Sequence, residues 1–318
     1  MRVGITGGSG FIGSYVCEEL AHRGHEPVIF DHRRRAGAQP YEIMLGDIRD
    51  ATAMTELAAH CDGIIHLAAV LGTQETIRRP QPAAETNLTG GLNFLEAVAQ
   101  YELPGVYICV GNHWMNNSYS ISKTAVERFV HMYNAYRGTR VVNVRVVNAY
   151  GPRQVAAAPF GAGKVRKLTP AVICRALSGW PVELYGGGVQ RSDMVWVGDV
   201  ARALVSALET SARGEVPEAV VEVGPAQSHS VRSIAELIID QCVELGHPRV
   251  PVLSLPMRPG EEPGATVSAD PTTLTAIGID PESLRPLAEG MRDTVEWFAE
   301  TRGSHWLPQP APVSSATV

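Results

Sequence analysis

The stretch TGGSGFIGS, residues 6–14, constrains this chain more than any other. It follows a short apolar run at 2–6 with the composition of a β-strand, and it opens a segment, 14–23, with helical spacing. Gly7, Gly10 and Gly13 give the pattern G-x-x-G-x-x-G. Glycine allows a tight turn there. It also lets the backbone approach a pyrophosphate at a helix N-terminus, where free N–H groups and the helix dipole favour an anion. Phe11 and Ile12 lie inside the same turn and join the glycines as candidate cofactor-lining residues. Such a loop alone is a weak signal. Its place between the first strand and the first helix predicts a dinucleotide site.

The alternation continues. Strand-like runs fall at 26–30, 42–47, 63–69, 105–110 and 141–148, and helical patterns at 51–60, 91–101 and 120–136. Nearly continuous apolar strands separated by helices predict an α/β fold with a parallel sheet covered on both faces. After Gly151, Pro and Gly become frequent, with helices expected near 169–178, 199–211, 231–245 and 289–301. The expected organisation is a dinucleotide-binding domain over 1–165 that includes the helix after residue 118. A smaller lobe over 166–303, interleaved with the first, would bind substrate. The Pro/Ser/Ala-rich 304–318 reads as a flexible tail.

Composition removes several function classes. The 318 residues carry a formal net charge of −6, which argues against a nucleic-acid partner. No apolar run reaches the length of a membrane span. Five scattered cysteines without a CxxC, and no signal-peptide pattern, lead to the expectation of a reduced cytoplasmic protein. No metal-ligand spacing is present.

Further candidates follow the glycine loop in order. Asp31 ends the second strand run, where a carboxylate accepts bonds from the adenosine ribose hydroxyls and repels a 2′-phosphate. That favours NAD over NADP. His32 and Arg33 come next and open an Arg run at 33–35, which reads as a solvated turn or as a phosphate holder. Asp47 and Ile48 follow the third strand. Leu67, Ala68 and Ala69 follow the fourth, where small residues let a cofactor pass close. Asn87 is placed to bond main chain nearby.

With these motifs in hand, and with YSISK (119–123), RVVNAYGPR (145–153), GGGVQRSD (186–193) and RPGE (258–261), the chain resembles the extended short-chain dehydrogenase/reductase family, in its NAD-dependent nucleotide-sugar epimerase/dehydratase branch. The resemblance covers roughly residues 1–300. It implies a Rossmann-type doubly wound sheet with a smaller C-terminal α/β lobe, bound NAD, a nucleotide-diphosphate sugar as substrate, and a homodimer. It also implies that Tyr119 is the catalytic acid/base and Lys123 its partner, holding the nicotinamide ribose. Chemically, a phenol near pKa 10 serves at neutral pH only if a nearby cation stabilises its anion.

One region departs from the family. Cys109, Val110 and Gly111 stand where hydroxyl residues are usual, and only a handful of residues separate them from Tyr119. Asn112 is a candidate replacement donor to the reacting oxygen. His113 is either a second acid/base or a packing residue. The resemblance further assigns Asn148 to the sugar diphosphate, Tyr185 to the base, Arg258 to a diphosphate clamp, and Thr73 and Gln74 to the sugar. The clamp Arg expected immediately before Asp193 is replaced by Ser192, with Arg191 one place early. Either the backbone bulges there or Arg191 points away. The reading that results is an epimerase acting at C4 of a nucleotide sugar. The alternative is a dehydratase or decarboxylase that uses His113 or Glu75 as an extra acid/base, and a non-catalytic dinucleotide sensor stands further off.

Overall fold

The computed structural model describes residues 1–33, 40–258, 261 and 264–307. Two members of the Arg run, Arg34 and Arg35, and the end of the expected tail, 308–318, lie outside these residues. The N-terminal part forms β1 (Arg2–Thr6), α1 (Phe11–His22), β2 (Glu26–Asp31), β3 (Glu42–Leu45), α2 (Ala51–Ala59), β4 (Gly63–His66), α3 (Thr73–Arg78), α4 (Pro80–Ala84), α5 (Gly90–Gln100), β5 (Pro104–Val110), α6 (Ser118–Arg137) and β6 (Arg140–Val146). There follow β7 (Asn148–Tyr150), α7 (Leu168–Leu177), β8 (Val182–Tyr185), β9 (Arg191–Ser192), β10 (Met194–Trp196), α8 (Val197–Ala212), β11 (Val221–Val223), β12 (His229–Ser230), α9 (Val231–Glu244), β13 (Val252–Leu255), β14 (Thr266–Val267) and α10 (Leu287–Glu300).

The central sheet has seven strands in the order β11-β6-β5-β4-β1-β2-β3, every pair parallel. The order reverses between β1 and β4, so the crevice at the carboxyl ends of these two strands is where a ligand fits. The strands are apolar on both faces because helices cover both. Val3, Ile5, Ile65, Val106 and Val144 pack against α1 and α8 on one side, and Val28, Ile64, Tyr107 and Val141 face α2, α5 and α6 on the other. A second core, built from α7, α9, α10 and β8, fills the smaller lobe.

The two parts interleave across the expected boundary at 165/166. Residues 197–223 lie past that boundary, yet α8 packs on α1 and β11 closes the large sheet against β6. Residues 304–307, expected in a flexible tail, are packed. Trp306 is only 3% exposed, donates to the Phe298 carbonyl at 2.6 Å and packs on Phe160, so 304–307 belong to the lobe. No periodic pattern announces α3, α4 and the π-helical turn Glu85–Thr89 that follows them. Proline breaks a helix interior but is tolerated in a first turn, and Pro80 stands first in α4. Among the described residues no helix is long and apolar enough to cross a membrane. All five cysteines are free and buried.

Candidate active site

The glycine turn is built as its spacing requires. Gly7 has φ +72°, in the left-handed region, and a Cβ there would press on the Ala68 backbone at 3.0 Å. A Cβ on Gly13 would lie 2.5 Å from the Gly7 carbonyl oxygen, so no side chain fits between turn and helix. Phe11 and Ile12 open α1 directly behind the turn. Asp31, 8% exposed, accepts from the Ser9 N–H at 3.2 Å and sits 3.1 Å from His32 Nδ1. Its carboxylate is thus tied to the glycine turn, at the edge of the crevice. The Arg33 carbonyl accepts from Ser9 Oγ at 3.4 Å. A pyrophosphate at the turn and a ribose at Asp31 suit this cradle.

The other cofactor candidates divide between side chain and backbone. The Asp47 carboxylate is forked by Arg49, whose pairing holds it below the usual carboxylate range. The Ile48 side chain is buried against Gly90 and offers a ligand only its backbone. Thr6 Oγ1 accepts from the N–H groups of Leu67 and Ala68, which fixes the turn after β4, and Ala69 follows it. Asn87 lies in the π-helical turn, a feature that often marks functional sites. Its Oδ1 accepts from Val70 N at 2.8 Å, and its Nδ2 donates to Val70 O and to Ser122 Oγ. Asn87 therefore ties the β4 loop to the helix that carries Tyr119 and Lys123.

That helix, α6, starts at an N-cap. The Asn117 side chain accepts from Ser120 N at 2.9 Å, an arrangement worth about 1 kcal/mol. It ends at Gly138, in the left-handed conformation. Tyr119 N donates to Thr76 Oγ1 at 3.3 Å, and Ser118 Oγ donates to the Pro80 carbonyl at 2.8 Å, so α3 and α4 pin the first turn of α6. Burial, with the nearby Cys109 thiol, pushes the Tyr119 phenol up to about 12. Burial pulls Lys123 down to about 8, while Cys109 and Glu127 oppose that fall. The ammonium lies 3.9 Å over the Tyr107 ring, a cation–π contact that substitutes for lost water. His66 stacks on the same ring and on Phe94, and burial keeps it neutral. Both members of the Tyr/Lys pair are thus shifted toward their uncharged forms, by desolvation more than by each other.

The short loop separates its candidates. Asn112 turns inward. Its Nδ2 rests on Met115 Sδ at 2.9 Å, and its Oδ1 accepts from Ser120 Oγ at 3.4 Å. His113 is exposed, stands edge-on to Trp114 at 5.3 Å, and its carbonyl accepts from Thr124 Oγ1 of α6. Glu75 is exposed at the start of α3, next to Thr73 and Gln74.

On the substrate-lobe side, β9 pairs regularly with β12 and β14 and has no bulge. Ser192 is buried and accepts from Asn148 Nδ2, while Arg191 is exposed and donates to the Ser228 carbonyl and hydroxyl. Asn148 and Arg191 are therefore not brought together. Tyr185 ends β8 between two guanidiniums. Arg258 lies 4.7 Å over its ring, and Arg166, 5.3 Å away, donates to its hydroxyl at 3.2 Å. Lys167, lowered by burial, faces Glu75. Sequence reasoning missed Arg166 and Lys167. Composition held a usable signal: only three of the 27 basic residues are lysines, at 123, 164 and 167. A chain that otherwise uses arginine keeps lysine in the Tyr119 helix and in this one segment.

Among the described residues no group of three His, Cys, Asp or Glu side chains could hold a metal ion. Comparisons with known proteins agree with this architecture. The family described as NAD dependent epimerase/dehydratase matches over residues 3–115 and 111–224. A UDP-N-acetyl-alpha-D-glucosaminuronate decarboxylase of Bacillus cytotoxicus is 28% identical, over 93% of this chain and 97% of its own. A putative UDP-glucose 4-epimerase of Methanocaldococcus jannaschii is 26% identical, over 92% and 97%. Among solved structures, the UDP-glucose 4-epimerase of Thermus thermophilus, in complex with NAD, superposes with a TM-score of 0.80 at 29% identity, over 94% of this chain and 99% of that one. With the glycine cradle, the parallel sheet and a family match across most of its length, the chain belongs to the NAD dependent epimerase/dehydratase family.

Proposed function

We propose that the protein is a nucleotide-sugar epimerase that inverts one ring carbon, C4, by transient oxidation. The carrying observation is the spareness of the site. Tyr119 and Lys123 stand on one helix at the crevice, an amide (Asn112) follows directly on the strand end that lacks the usual hydroxyl, and His113 faces solvent. Elimination of water needs a further acid and base beside the tyrosine. Epimerisation needs one acid/base and room for the keto sugar to turn.

NAD, when bound, supplies a hydride acceptor and, in its oxidised form, a positive ring that favours the phenolate. The residues do the rest. Tyr119 takes the proton of the sugar hydroxyl and later returns it. Lys123, charged below about pH 8, stabilises the phenolate and holds ribose hydroxyls. Asn112 Nδ2 exchanges its thioether acceptor, a weak one, for the sugar oxygen. Arg258 and Arg166, around Tyr185, are paired with Glu261 and Glu183 and would exchange these partners, with Lys167 beside them, to supply the positive charge a diphosphate requires, which Ser192 cannot. A homodimer fits the exposed apolar side chains along α6: Ile121, Phe129, Met132 and Tyr136.

A decarboxylase reading keeps one specific support. Glu75 faces Lys167, and a relative is named as acting on a uronate sugar nucleotide. Incubation with a panel of nucleoside-diphosphate sugars, followed by mass and NMR analysis, separates these readings. Unchanged mass with an inverted carbon supports the epimerase; loss of water or carbon dioxide overturns it.

A further inference from the structure

Behind the Tyr/Lys pair lies a buried charge network that the reaction, as described, does not use. Glu127 follows Lys123 by one helical turn on the same face of α6, and both are almost fully buried. Its Oε1 is paired with Arg145 Nη2 at 2.6 Å, and Arg145 Nη1 is paired with Glu222 Oε1 at 2.5 Å. Glu222 Oε2 in turn accepts from Asp270 N at 2.8 Å. Glu127 Oε2 is buried with no hydrogen-bond donor among the described residues. Its charge acts on the Cys109 thiol and on Lys123, favouring the proton on each. The side chains hold two cations, Lys123 and Arg145, and two anions, Glu127 and Glu222, so the quartet is neutral only while all four are present.

We propose that Glu127, held in place by Arg145 and Glu222, is a positioning residue that keeps the Lys123 ammonium charged inside the protein and so sets the pH range of the catalytic pair. The groups facing Lys123 allow it this role. Tyr119 precedes it on α6. Tyr107 and Cys109 face it from β5, and His66 faces it from β4 as a neutral ring. Asn143 of β6 binds the Glu127 carbonyl and the Cys109 thiol and touches His131. Glu127 is the anion in this set, and a buried ammonium without an opposite charge releases its proton.

The proposal rests on the assignment of Tyr119 and Lys123 as the catalytic pair, but its first test does not need the reaction. With only three lysines, the intact protein labelled at lysine Cε gives three NMR signals to titrate without nucleotide, and Lys123→Arg assigns one. The wild-type midpoint is expected at about 8. Glu127→Gln should lower it by about one pH unit or more, leaving roughly tenfold less ammonium between the two midpoints. Glu127→Asp should restore most of the difference. If the Gln variant does not fold, Glu222→Gln leaves Glu127 in place, unbalances the quartet and should give a smaller shift in the same direction. Equal midpoints in wild type and variant overturn the proposal. The second arm follows conversion of the nucleotide sugar to its epimer. The alkaline limb of kcat should move with the lysine midpoint while KM stays constant, and an unmoved limb also counts against the role. A wild type that processes no nucleotide sugar overturns the epimerase reading instead, and the lysine titration still decides this one.

Discussion

The two sides of the crevice were built under different rules. The nucleotide side, at the ends of β1, β2 and β4, is mostly backbone: a glycine turn, N–H groups held by Thr6, and one carboxylate. The sugar side, at the end of β5 and around β8 and β9, is side chains brought from separated segments. A site made of backbone tolerates little change, because its geometry is fixed by residues with no side chain to alter. A site made of side chains can be rewritten singly, and here it has been. Cys109, Val110 and Gly111 stand in place of hydroxyl residues, Ser192 stands in place of a guanidinium, and only a short loop leads to the helix of Tyr119 and Lys123. The difference teaches where chemistry is kept and where specificity is free to move.

The largest effect that tests this contrast is expected at a sugar-side group that was kept. Tyr119→Phe should lower turnover by about two to four orders of magnitude, the usual worth of a positioned acid/base, while NAD and sugar still bind. Stopped-flow and calorimetry read the two quantities separately. Wild-type turnover in the variant would place the proton transfer elsewhere.

Asn112→Ala comes next. If the amide replaces a hydroxyl, its loss removes one hydrogen bond to an oxygen that gains charge in the transition state. The expected cost is roughly 1.5–3 kcal/mol, or about ten- to a hundredfold in kcat. A silent variant would mean that the amide stays on Met115 and the reacting oxygen has another donor.

These residues also show what could be read in advance. The glycine turn, the acid that ends β2, the alternation of strands and helices and the helix of Tyr119 and Lys123 were legible because each leaves a periodic or steric signature: small residues at fixed spacing, apolar runs of strand length, a polar pair one turn apart. The direction of Asn112 and His113 was not. The run 112–117, made of Asn, His, Trp and Met, can fold with either neighbour inward. Ser120 and Thr124, one turn apart on the same face of α6, decide it by hydrogen bonds that no spacing reveals. Arg166 and Lys167 lie in an irregular stretch before α7, where nothing repeats; only the scarcity of lysine marks the place. The interrupted helices at 73–89 were hidden by two prolines that begin a helix as readily as they break one.

Arg166→Met and Arg258→Met sharpen the same comparison on the substrate lobe. Each should raise KM for the nucleotide sugar by about tenfold with kcat nearly constant, because a diphosphate contact is made equally in ground and transition states. If Arg191→Met has the larger effect, Arg191 leaves Ser228 when substrate binds and the clamp is the family's own, displaced by one residue. On the nucleotide side, NAD should bind at least about ten times tighter than NADP, since a 2′-phosphate would meet the Asp31 carboxylate. Equal affinities by calorimetry would give the Arg run at 33–35 a phosphate to hold.

The smallest expected effect separates the two chemistries. His113 is exposed, its ring stands against Trp114, and its carbonyl is bound to Thr124 Oγ1 of α6. In a simple epimerase, His113→Ala removes one edge contact from a surface loop, and kcat should stay within about twofold of wild type. In a dehydratase the imidazole would carry a proton during elimination, and the variant would stop after the first oxidation. Absorbance at about 340 nm, the band of reduced nicotinamide, would then rise on sugar addition and persist, with no product released. The loop would have to turn over to bring the imidazole inward, breaking the Thr124 contact, so Thr124→Val would lower activity in the epimerase case no more than His113→Ala does. In the dehydratase case it would favour the turned loop and raise activity. A trapped reduced cofactor in His113→Ala, together with a more active Thr124→Val, would replace the epimerase reading. A near-silent pair would leave Asn112 as the loop's chemical residue.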